Sequence, residues 1–164
     1  MIEARSVHDL QLFHYGRGEI QAVHSVKQDN PVHRFKPNGL WLSVENWDGG
    51  WREWCENENF GLGVIVHQVR LSDAANVLWL RSAGDIDDFH YKYASRIFPG
   101  IEIMYPDWPA ISAQYHGIVI APYCWERRLD GKASDWYYPW DCASACIWDR
   151  AAIGGWAVLN AAAA

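Results

Sequence analysis

The chain has 164 residues, enough for one domain to bury a core without disulfide or metal staples. Its composition is that of a globular protein, 50% hydrophobic and 21% charged. The formal net charge of -6 excludes long-range attraction to a nucleic-acid backbone and leaves only a local basic pocket for phosphate. No stretch reaches the ~18 apolar residues of a membrane span, and Met1 to Arg5 lack a signal-peptide pattern, so the expected compartment is the cytoplasm.

In chain order, Leu10 to Tyr15 reads as a strand closed by Gly16-Arg17-Gly18, and Gly39 to Ser43 as a second strand after the turn signal Lys36-Pro37-Asn38. Trp51 to Glu56 carries apolar residues at i, i+3 and i+4, which suits a short helix. Gly63 to Leu71 is a strand of β-branched residues, and Asn76 to Leu80 is another. Asp85 is the expected cap of a helix from Ile86 to Tyr93, and Asp107 the cap of a helix from Trp108 towards Tyr115. Gly117 to Pro122 reads as a buried strand, Tyr123 to Trp140 as an aromatic and charged loop, and Ser144 to Trp148 as the last strand. The tail Ala161 to Ala164 reads as an expression remnant.

About six strands and three helices, all short and not strictly alternating, predict a single α+β domain with a mixed or mostly antiparallel sheet. The four cysteines have no CxxC spacing and no histidine at a zinc-finger distance, so free thiols are expected and no metal site is assigned. The unusual feature is the 11 Trp, 8 Tyr and 5 Phe, a surplus that must fill core or line a binding surface.

Five segments in this order resemble the ADP-ribosyltransferase superfamily. They are Leu12-Phe13-His14-Tyr15-Gly16; Gly39-Leu40-Trp41-Leu42-Ser43 followed by Trp51 to Cys55; Val69 to Leu71 with Val77 to Leu80; Tyr115 to Ile120; and Ala145 to Ile153. The resemblance spans Leu12 to Ile153 and implies a split sheet around a cleft for NAD, which would be the substrate. It implies that His14 bonds the nicotinamide ribose, that backbone beside Tyr15 and Gly16 takes the nicotinamide amide, and that Trp54 or Trp51 stacks on the ring. Gly39, Trp41 and Ser43 belong to the same cofactor-binding set.

The implied activity is mono-ADP-ribosyl transfer to a macromolecular acceptor, protein or nucleic acid. Small members of this kind are often microbial or phage-borne effectors or toxins. The segment from Tyr123 to Asp141 corresponds to the target-recognition turn, with Trp125, Arg127, Arg128, Trp136, Tyr137 and Tyr138. The usual closing-strand glutamate falls on Ser144, which cannot carry the charge that stabilises an oxocarbenium ion. Asp141 is the first candidate for the acid and Glu126 the second. The departure at Ser144 also admits a catalytically degenerate binding module that recognises a partner or nucleotide without chemistry. An aromatic-lined sugar binder is a third reading. Each residue has a plainer role beside the functional one. His14 suits a satisfied strand-end histidine, Trp41 and Trp54 suit core positions, and Asp141 suits a turn cap.

Overall fold

The computed structural model describes residues 4–31 and 34–160. The expected remnant at Ala161 to Ala164 lies outside them. In chain order the elements are β1 (Leu12–Gly16), β2 (Leu40–Val44), α1 (Trp51–Asn57), β3 (Ile65–Leu71) and β4 (Val77–Leu80). Next come α2 (Ala83–Tyr93), β5 (Ala94–Ser95), β6 (Tyr105–Pro106), α3 (Trp108–Ser112) and β7 (Gly117–Ile120). The chain closes with α4 (Ser134–Tyr137), β8 (Ser144–Ile147) and β9 (Ile153–Asn160).

Seven strands form one sheet in the order β4-β7-β8-β2-β1-β3-β9, and β5 pairs with β6 in a separate short ribbon. Only β4 and β7 run parallel; every other pairing is antiparallel. The protein is therefore α+β with a mixed sheet.

Local sequence explains most elements. Along β3 the alternation is strict, with His67, Val69 and Leu71 buried and Gln68 and Arg70 exposed. In α2 the buried residues are Ile86, Phe89, His90 and Tyr93, one stripe of a 3.6-residue period. That helix begins earlier than predicted. Ser82, not Asp85, is its N-cap and accepts from the Asp85 N–H, while the Asp85 carboxylate accepts from the Arg81 N–H. The reason is that Ala83 and Gly84 need no apolar partner to join a capped first turn. Asp107 does cap α3, accepting from the Ala110 N–H, but the helix stops at Ser112.

Two expectations fail. Ser144 to Ile147 is not the last strand, because β9 follows and pairs with β3 along the sheet edge. Its Gly154-Gly155 pair carries no β-propensity, which hid the strand from sequence reasoning. The segment Tyr123 to Trp140 is not a continuous surface loop either. It contains α4, and Trp136 and Tyr137 are fully buried. Of its aromatic residues, Trp125 and Tyr138 are exposed.

The tryptophan surplus divides by layer. Trp108, Trp136, Trp140 and Trp148 are buried, and Trp125 is exposed. The other six, Trp41, Trp47, Trp51, Trp54, Trp79 and Trp156, are half-buried. Phe89 of α2 packs on Trp136 with ring centroids 4.9 Å apart and on Trp108 at 6.1 Å, and Trp108 meets Trp148 at 6.3 Å. These edge and tilted contacts join α2, α3 and α4 to Trp148, the residue that follows β8. All four cysteines are free thiols. Among the described residues, no helix is long and apolar enough to cross a membrane, and no three His, Cys, Asp or Glu side chains gather as a metal site requires.

Candidate functional site

The site starts from a fault in the sheet. Strands β1 and β2 pair at Leu12 with Val44 and at Phe13 with Ser43, and there the ladder stops. Beyond it β1 stays on β3 as far as Gly16 opposite Ile65, while β2 stays on β8 as far as Leu40 opposite Ile147. The next rungs of the shared register, His14 opposite Leu42 and Tyr15 opposite Trp41, are not made. The Trp41 carbonyl instead accepts from Nδ1–H of His14 at 2.9 Å. With Nδ1 as the donor, Nε2 is the ring's remaining polar atom, and it bonds none of the described residues.

A cleft of about 380 Å³ opens where the strands part, within the size range of small-molecule sites. Phe13, His14 and Tyr15 line it from β1, and Trp41, Leu42 and Ser43 from β2. Trp51 lines it from α1, and Asp141, Cys142 and Ser144 from the approach to β8 and its first residue. Lys36, from the turn before β2, completes the lining. Seven of the residues predicted from sequence are thus brought together: His14, Tyr15, Trp41, Ser43, Trp51, Asp141 and Ser144.

The other four lie outside the lining. Trp54 is stacked behind Trp51, with centroids 5.0 Å apart and planes 11° from parallel, and Phe60 braces both rings at 5.6 Å. Of this stacked pair, the indole that faces the cleft is Trp51. Gly39 serves packing, since a Cβ there would sit 2.5 Å from the carbonyl oxygen of Ile147. Gly16 leaves room for the imidazole, since its Cβ would stand 3.0 Å from Nε2 of His14. Glu126 is exposed in the 3-10 turn Trp125–Arg127 and accepts weakly from the Cys124 thiol at 3.8 Å. It is held away because its turn is pinned to α2. Arg127 donates twice to Asp87, through Nε and Nη2, each at 2.9 Å.

The electrostatics differ along the cleft. Asp141 accepts from Nη2 of Arg128 at 3.1 Å, and Arg128 also lies over the Tyr138 ring at 5.1 Å. Lys36 has its ammonium 5.5 Å from the Trp41 ring centre. Burial pulls its pKa below the ordinary lysine range, and the Asp141 charge only partly opposes that. The Cys142 thiol is pushed up to about 12, chiefly by burial, so it stays protonated at neutral pH. Ser144 donates to the Cys142 carbonyl at 3.1 Å.

On the β1–β2 wall, Tyr15 donates to Oε1 of Glu45 at 2.5 Å and Ser43 donates to the same oxygen at 3.3 Å. Burial first, and the Glu45 bond second, hold the Tyr15 phenol well above its usual pKa. Ser43 also accepts from the backbone N–H of Trp51 at 2.9 Å, which fixes the start of α1 against β2.

Sequence reasoning missed Lys36, Cys142 and Glu45. Lys36 was hidden inside a turn signal. Glu45 had a usable signal, because Trp41, Ser43 and Glu45 continue a period of two and so share one sheet face. Beside the cleft, His67 pairs with His14 in the β1–β3 register with ring centroids 6.1 Å apart. It is fully buried, and its Nε2 accepts from the Ile20 N–H at 3.0 Å.

Comparison with family models, curated proteins and solved structures returned no match. The chemistry of the cleft is the remaining guide to function.

Proposed function

We propose that this chain is a mono-ADP-ribosyltransferase-like protein. It binds NAD in the β1–β2 cleft, cleaves the nicotinamide–ribose bond and transfers ADP-ribose to a macromolecular acceptor, protein or nucleic acid. The observation that carries the reading is the convergence at the split. The His14 imidazole, the hydroxyls of Tyr15, Ser43 and Ser144, the indoles of Trp41 and Trp51 and the half-buried Lys36 ammonium meet in one cleft.

Each group suits part of a dinucleotide. His14 Nε2 accepts from a ribose hydroxyl. Trp51 offers a face for the nicotinamide ring. The absent side chain at Gly16 leaves room for the His14 imidazole. Lys36 supplies positive charge for the pyrophosphate, which a domain of net charge -6 provides nowhere over long range. The exposed Trp125 and Tyr138 suit contact with an acceptor.

The test uses labelled NAD with cell extract. Nicotinamide release and label transfer, both lost in His14→Ala, are the expected result. Failure of NAD to quench tryptophan fluorescence in the wild-type chain would overturn the reading. A second reading, a binding module without chemistry, is favoured by one observation. Ser144 stands where the superfamily's glutamate would fall, and its hydroxyl is bonded to the Cys142 carbonyl. Quenching by NAD with no nicotinamide release from any extract would select it.

A further inference from the structure

We infer that Glu45, and neither Asp141 nor Glu126, is the catalytic carboxylate of the cleft; the inference rests on the NAD reading above. Cleaving a glycosidic bond to a positively charged ring builds cationic character on the ribose carbon, so the site needs net negative charge there. Asp141 lines the cleft, Glu45 lies one hydrogen bond behind its Tyr15 and Ser43 hydroxyls, and charge compensation separates the two carboxylates. Asp141 is ion-paired to Arg128 and shares its end of the cleft with Lys36. That end is close to neutral or positive. Glu45 takes part in no ion pair among the described residues, and the nearby Arg52 is paired with Glu56 at 3.1 Å.

The position of Glu45 is built, not incidental. It follows β2 on the same face as Trp41 and Ser43, and its N–H donates to the Gln11 carbonyl at 3.0 Å. Both side-chain bonds, from Tyr15 and Ser43, land on Oε1, and both donors line the cleft. The carboxylate is thus oriented by two groups that touch the ligand space. Its second oxygen, Oε2, accepts from no described residue. Ser43 is the cross-strand partner of Ser144, so Glu45 brings its charge to the strand next to the residue that lacks one.

In the reaction the bond between the ribose C1′ and the nicotinamide ring nitrogen breaks. Its electron pair stays on nicotinamide, which leaves neutral. The positive charge on the ribose is stabilised by the Glu45 carboxylate. An acceptor hydroxyl, or water, then adds at C1′ and its proton passes to Glu45.

The experiment measures nicotinamide release and NAD-dependent tryptophan quenching on the full chain. Glu45→Gln should leave the quenching midpoint within about threefold and cut release roughly 10²- to 10³-fold. Glu45→Asp should recover part of the rate, and formate should partly rescue Glu45→Ala, which a purely structural role would not allow. Asp141→Asn should retain release within about tenfold at saturating NAD. Release by Glu45→Gln at the wild-type rate, with NAD still bound, overturns the assignment and leaves the NAD reading standing. Loss of release only in Asp141→Asn transfers the role to that residue. Absence of NAD quenching in the wild-type chain removes the NAD reading and this inference together. If Glu45→Gln fails to fold, a normally folded Glu45→Ala that formate does not rescue overturns the assignment.

Discussion

Lys36 is the one lysine that lines the cleft, and burial is the main influence on its charge. Its pKa lies below the ordinary lysine value, so it loses its proton at a lower pH than an unperturbed lysine does. If it holds the pyrophosphate, NAD affinity declines as pH rises through that lowered value, because the neutral amine attracts no anion. Lys36→Met is expected to weaken NAD binding about tenfold at neutral pH, which corresponds to ~1.4 kcal/mol. It should also remove the alkaline decline. Fluorescence titration of both proteins between neutral and alkaline pH checks this. Equal affinities across the range would place the pyrophosphate away from Lys36. Sequence reasoning reached His14 and Asp141 through recognisable segments. It passed over Lys36 because a residue in a turn signal announces nothing about which way its side chain folds back.

Strand signals were legible where burial and period agree, as in β3 and β7, whose β-branched runs match their observed pairing. Boundaries moved where a residue serves a neighbour in place of its own ladder. Gly63 belongs to the predicted β3 strand, yet the pairing begins at Ile65. A Cβ on Gly63 would lie 2.6 Å from the Gly16 nitrogen and 2.6 Å from the Tyr15 carbonyl carbon. Both are backbone atoms, so the clash can be relieved only by moving the end of β1, which carries the cleft. Gly63→Ala is therefore expected to destabilise the fold by about 1–3 kcal/mol and to weaken NAD quenching. Gly18→Ala is the control, since a Cβ there meets nothing within 4 Å. Thermal melting and NAD titration of the pair read the difference. If Gly63→Ala matches Gly18→Ala in both, this close approach does not set the cleft. Nothing in the local sequence could reveal such a contact, because Gly63 and Gly16 meet only once β1 and β3 are paired.

At the scale of the whole molecule, the α+β class followed from short, unevenly mixed elements, but the fault between β1 and β2 did not. It depends on β1 following β3 and β2 following β8, a competition between partners that no single segment encodes. The fault raises the question whether the two sides of the cleft unfold together, and two buried histidines answer it. His67 lies on β3, on the β1 side, and accepts from Ile20 through Nε2. His90 lies on α2, on the other side, and accepts from the Trp136 indole through Nδ1 at 3.2 Å. Both are nearly inaccessible to solvent, and desolvation lowers both pKa values below the ordinary 6.5. Protonation would also destroy each accepted bond. The unfolded chain therefore binds these protons more readily than the native one. Stability is full above about pH 6.5 and falls as pH drops from there towards the lowered native values, by up to ~1.4 kcal/mol per pH unit for each histidine. Carboxylates contribute elsewhere. Asp87, lowered by its bonds to Arg127, loses its stabilising effect only below the ordinary aspartate range near pH 4. Urea denaturation between pH 7.5 and 5 should then give one transition whose stability falls with a slope approaching two protons. His90→Gln, which keeps an amide oxygen for Trp136, should remove about half of that slope from the same transition. Two transitions, only one of them sensitive to His90→Gln, would mean that the cleft divides the sheet into separately folding parts. A single transition sensing both histidines requires the continuous ladder β8-β2-β1-β3 to hold across the fault, through the two rungs at Leu12 and Phe13 and the adjoining bond from the Glu45 N–H to the Gln11 carbonyl.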